Sequence, residues 1–175
     1  ACGAKAPVDG THAFHEAIQA LTAINVLSVE SVDQALSTRL SKDLDNGSFT
    51  SYTAHKGEFA NLPISEVELR CRNGHPGDCL LSIELARPGP LPRVFVETFW
   101  PNSEFTVASP HGSGSRSYWS VQQGRDRISV GLRYTEERIT ALVIDRIPPR
   151  ASPSPTEEPW MPLPPLPPEE VPPTR

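Results

Sequence analysis

From Pro148 to Arg175, twelve of 28 residues are proline. Proline fixes φ and carries no backbone N–H, so such a run can neither continue a helix nor fill a central strand. It favours polyproline II and open loops instead. The folded part of the chain must therefore close by residue 147. Residues 1–10 are small and polar, with Pro7 and Gly10, and read as a flexible leader. Residues 11–147 remain as one domain, long enough to bury a core.

Within that domain the hydrophobic period changes once. Phe14, Ile18 and Leu21 recur at helical spacing, with Thr11 placed to cap the helix. Val32, Ala35, Leu36 and Leu40 mark a second helix over roughly 31–42, with Ser28 or Ser31 as its cap and Asp45-Asn46-Gly47 as its end. From residue 48 the period is two. Phe49 and Tyr52 with the Lys56-Gly57 turn suggest a first strand pair, and Val67–Cys71 with Cys79–Leu85 a second. Arg93–Phe99 alternates and reads as a strand. Ser117–Gln122, Arg127–Tyr134 and Arg138–Ile147 complete the set, joined by short turns. Helices followed by consecutive hairpins imply an α+β fold: two N-terminal helices packed on an antiparallel meander of about five to seven strands, followed by the extended tail.

Charge and composition narrow the function classes. A net charge of −5 argues against nucleic-acid binding, which needs clustered Lys and Arg. It argues equally against an electrostatic grip on an anionic membrane. No stretch approaches 18 apolar residues, so no membrane-spanning helix is expected. No charged n-region leads into an apolar h-region, a state that a mature exported protein also shows.

Three cysteines are present. Cys71 and Cys79 flank a loop containing Gly74, Pro76 and Gly77, which can bring two strand ends within bonding distance, so a disulfide is expected. That implies an oxidising compartment, periplasmic or extracellular. A metal site is disfavoured, since only His75 lies in the same loop and Asp78 is a poor soft ligand. Cys2 stands apart. Ala1-Cys2-Gly3 resembles the processed junction of bacterial lipoproteins, where a small residue directly precedes a lipidated cysteine. The resemblance implies lipidation of Cys2 and a domain tethered by its N-terminus. The alternative is an unpaired surface cysteine.

Catalytic and cofactor motifs are missing: the sequence has no GxxxxGK[ST], GxGxxG, HExxH or GxSxG pattern. His12 and His15 share a helix face but lack an evident third ligand. No cofactor and no metal is expected. Candidate partner-binding residues are instead aromatic or in loops. Phe99-Trp100 and Tyr118-Trp119 are adjacent pairs, so on strands one member of each pair faces outward, and such aromatics are frequent interface anchors. His111 and Ser113 lie in a Gly/Ser loop, His75 in the cross-linked loop, and Trp160 in the tail. The expectation is an exported, non-enzymatic bacterial binding protein: a periplasmic or outer-membrane-anchored lipoprotein acting as inhibitor or immunity protein against a toxin or cell-wall hydrolase. An accessory structural lipoprotein of an envelope or secretion assembly, and a small pocket-containing binder or enzyme of cone-shaped fold, are the alternatives.

Overall fold

The helical spacing around Phe14 produces α1 (Gly10–Thr22), which buries Thr11, Phe14, Ile18 and Leu21. The computed structural model describes residues 10–107, 116–133 and 136–147. Thr11 sits inside the first turn of α1, because the helix starts one residue earlier. Helix α2 (Val29–Leu36) is capped as its serines suggest: Ser28 Oγ accepts from the Ser31 amide, and Ser31 Oγ accepts from the Ser28 amide.

Helix α2 ends well short of residue 42. Ser37 takes a left-handed conformation (φ 49°), and Asp33 accepts from the Leu40 amide at 2.7 Å, turning the chain out of the helix. Ser41–Asp45 then forms strand β1, paired with β2 (Phe49–Ala54). The Asp45-Asn46-Gly47 run is thus the turn of a hairpin. Gly47 has φ 84°, which favours glycine, and its amide donates to the Asp45 carboxylate. That bond, with Lys42 alongside, lowers the Asp45 carboxyl pKa to about 2.

The sheet continues through β3 (Glu58–Phe59), β4 (Leu62–Arg72) and β5 (Cys79–Leu85). Next comes a correction to the sequence reading. Pro92–Phe99 is helix α3, not a strand. Val94, Val96 and Thr98 gave it strand-like alternation, but the governing spacing is Phe95 to Phe99. Pro92 suits a first helical turn, Phe95 is fully buried, and Arg93 pairs with Glu97 at 2.8 Å, one turn on. Burial of the Phe95 ring against α1 outweighs the weak β preference of the valines.

After α3 come β6 (Glu104–Val107), β7 (Arg116–Gln123), β8 (Asp126–Arg133) and β9 (Ala141–Arg146). Among the described residues all pairings are antiparallel, so the α+β class holds, with three helices and nine strands there. The order is β1-β2-β4-β5-β9-β8-β7-β6, with β3 beside β4. Two meanders therefore meet in the middle. The first advances from one edge to β5. Helix α3 carries the chain to the far edge, and the second meander returns until β9 lies beside β5.

Strand parity assigns the two faces. Leu69, Leu81, Ile83, Ile128, Val130, Leu142 and Ile144 point to one side and form a single core with Phe14, Ile18, Leu36 and Phe95 of the helices. The opposite parity carries mostly Ser, Thr, Arg and Glu. The helices thus cover one face of the sheet.

The expected disulfide is present. Cys71 and Cys79 are directly opposed across β4 and β5, with Cα atoms 4.1 Å apart. The Arg72 amide donates to Asp78 O, which makes the cysteines a non-hydrogen-bonded pair, the closely spaced kind. Closing this short loop stabilises by about 2–3 kcal/mol through the unfolded chain. Replacing both cysteines by alanine should therefore lower unfolding free energy by about 2–3 kcal/mol in urea titrations. An unchanged midpoint would show that the cross-link contributes nothing.

Candidate functional site

The register of β5, β9, β8 and β7 sets out rows of side chains on the helix-free face. One row runs Tyr118, Gly131, Ala141, Glu84. The next runs Ser120, Ser129, Val143, Ser82. The third runs Arg127, Asp145, Leu80, Arg70. The middle row is small, and Gly131 and Ala141 of the first row are smaller still. Longer side chains stand on both sides. The result is a shallow trough across the strands. At its β6–β8 end it deepens into a cleft of about 310 Å³ lined by Thr106, Tyr118, Ser120, Arg127, Ser129 and Val143.

Tyr118 occupies its place for a readable reason. A methyl group on Gly131 would lie 2.6 Å from Tyr118 Cε1, so the ring rests directly on the glycine. Arg116, two residues before Tyr118 on the same face, pairs with Glu84, which lies 3.9 Å from Arg133. Burial works against the Arg116 charge, but Glu84 and Tyr118 together outweigh it and raise its pKa above the usual value. The floor is satisfied internally: Ser120 Oγ and Ser129 Oγ lie 2.6 Å apart. Such a surface offers an aromatic ring, hydroxyl groups and a guanidinium in fixed positions. It can hold an extended chain by stacking and by hydrogen bonds.

The adjacent aromatic Trp119 faces the other way, as alternation requires. It packs against Phe105 at 4.8 Å on the helix side, where Phe105 and Val107 remain exposed on edge strand β6. Trp100 lies in the core at 2% exposure, edge-on to Phe95, and presents no surface to a partner. It caps a helix rather than ending a strand, so the alternation argument did not apply to it. His75 is exposed in the β4–β5 loop, beyond the strand ends and away from the trough, with Nδ1 3.1 Å from Asn73 O. His111, Ser113, Trp160 and Cys2 lie outside the described residues. Of the sequence candidates among the described residues, only Tyr118 comes into the trough. Ser120, Ser129, Gly131 and Val143 were missed, because small residues on a strand carry no signal until the register aligns them.

His12 and His15 serve packing between helices. The His15 ring stacks on Phe99 at 4.0 Å with an interplanar angle of 4°, and His12 meets Phe99 edge-on at 5.2 Å. Among the described residues no group of His, Cys, Asp or Glu could hold a metal. A second cleft, of about 310 Å³, is lined by Leu85, Ala86, Pro88, Glu136, Arg138 and Thr140, among others. Glu136 Oε2 and Thr140 Oγ1 are buried there without hydrogen-bond partners.

Comparison with protein-family models, with curated proteins and with solved structures gives no match.

The His15 stack makes a pH prediction. Burial, then the nearby His12, lower the His15 pKa below its ordinary 6.5. Folding thus favours the neutral ring. The contribution is complete above pH 6.5 and is lost as pH falls through the lowered value. The unfolding midpoint should drop between pH 7 and pH 5, and His15→Phe should flatten that part of the profile. The same slope in both proteins would contradict the assignment.

Proposed function

We propose that this chain is an exported, non-enzymatic binding protein of the bacterial envelope that grips a protein partner in the trough on its helix-free sheet face. The observation that carries the reading is that face itself. Among the described residues the sheet presents one side to the helices, while the other offers a row of small residues beside a tyrosine seated on Gly131. Tyrosine beside arginine is a frequent composition of interface anchors. The Cys71–Cys79 disulfide is consistent with an exported protein. No helix among the described residues is long and apolar enough to cross a membrane. Anchoring through a lipid on Cys2 would agree with both. An inhibitor or immunity role against a toxin or cell-wall hydrolase fits a surface that recognises without reacting.

A second reading draws on the Glu136–Thr140 cleft. Buried polar atoms without partners are costly, and they accumulate where a ligand supplies the missing bonds. A small ligand held there would make this a pocket-containing binder, with or without catalysis.

The test uses full-length protein purified from its native envelope, with mass spectrometry of what co-purifies. Wild type should retain one partner in stoichiometric amount. Ser129→Arg, which fills the trough floor without touching the core, should reduce its affinity by about 100-fold or more. Equal retention by the variant, or repeated absence of a partner, contradicts the trough reading. Intact mass of the native protein decides the anchor: without an acyl mass on Cys2 there is none.

A further inference from the structure

We propose that the trough has an occupant within the same chain: residues 160–168, Trp-Met-Pro-Leu-Pro-Pro-Leu-Pro-Pro. This rests on the reading of the trough as a binding surface and names its resting ligand. These residues lie outside the described part of the structure, and the case comes from the trough, the sequence and the reach between them.

Chemistry comes first. The segment offers nine backbone carbonyls but only four N–H groups, because five of its nine residues are proline, so a surface that binds it must mainly donate hydrogen bonds. The trough supplies donors from the Thr106 hydroxyl, from whichever of the Ser120 and Ser129 hydroxyls is not donating to the other, and from the Arg127 guanidinium. Proline rings also pack well on aromatic faces, which is how grooves recognise polyproline II segments. Tyr118, held flat on Gly131, is such a face, with Val143 beside it on the floor. Trp160, Leu163 and Leu166 interrupt the prolines with apolar groups that a solvated spacer would not need.

Reach comes second. Ile147 follows directly on β9, the strand that supplies Ala141 and Val143 to the trough. Returning from Ile147 to Val143 covers four residues of strand, about 14 Å. Residues 148–159 precede the segment and can span about 37 Å at polyproline rise, so the turn back is easily made. The segment itself extends about 28 Å. The trough from β5 to β7 crosses three strand spacings, about 14 Å, and its middle row ends at Glu68 on β4 and Glu104 on β6. About five residues of the segment are enough to fill it. An external partner would have to displace the segment, so the tail would set the threshold for binding.

The experiment is NMR on the full-length, nitrogen-15-labelled chain without any partner. The amides of Trp160, Leu163 and Leu166 should relax like those of the sheet. Replacing all three residues by serine should shift the amides of Ser120, Ser129, Val143 and Ser82 and leave those around Phe105 unmoved. Ser129→Arg should release the segment to free-chain relaxation while leaving the core resonances of Leu142 and Ile83 in place. A tenfold dilution should change nothing, since the contact is intramolecular. Free-chain relaxation in wild type overturns the proposal. So do shifts on the Phe105–Trp119 side, or a concentration dependence that points to a second copy. If the tail is free but Ser129→Arg still loses its partner, the proposal falls and the trough reading stands.

Discussion

Arg146 is completely buried, and most of this architecture follows from how it is satisfied. It stands directly opposite Asp126 on the core face of β9 and β8, and the two side chains form a doubly bonded pair at 2.7 and 2.9 Å. The remaining guanidinium hydrogens go to the helix layer. They bond the carbonyls of Thr22, Ile24 and Asn25, at and beyond the end of α1. Those carbonyls have no partner within the helix, and a cation is what the negative end of a helix favours. A bare charge at this depth would be strongly destabilising, so the site is stable only when all the partners are in place. The pair ties α1 to the middle of the sheet and fixes which face the helices cover.

The other face inherits its character from that choice. With no helix to pack against, its rows need not be apolar, and they hold serines, a glycine and charged pairs. Gly131 is a weak strand residue on its own. Beneath Tyr118 it becomes a seat for the ring. Stability and recognition are thus divided between faces. The core is closed by Phe14, Phe95 and the sheet aliphatics. The trough is left for something that arrives later, from this chain or another.

Much of this was legible in the residues. The α1 stripe, the Ser28 cap, the β4–β5 hairpin with its disulfide, and the β7–β8–β9 hairpins follow local rules of period and turn. Three features did not. Arg93–Phe99 reads as a strand because its valines and threonine alternate, and only the contact of Phe95 with α1 makes it a helix. Ser41–Asp45 reads as a helix end because the left-handed Ser37 leaves no mark in sequence. The trough depends on β9 lying beside β5, a pairing between residues some sixty positions apart that no local pattern encodes. Arg146 was visible as a charge in phase with Leu142 and Ile144, but its partner sat in what looked like a plain turn.

The central claim is that the Arg146–Asp126 pair holds the helix layer to one face of the sheet. A double-mutant cycle tests it most directly, using Arg146→Met, Asp126→Asn and the double variant in urea unfolding. Each single change should cost about 3–5 kcal/mol, because it strands a buried group. The double variant should cost clearly less than the sum, giving a coupling of about 2 kcal/mol or more. Additive effects, within about 0.5 kcal/mol, would mean that the two residues do not act together, and the account of the fold would fail with them.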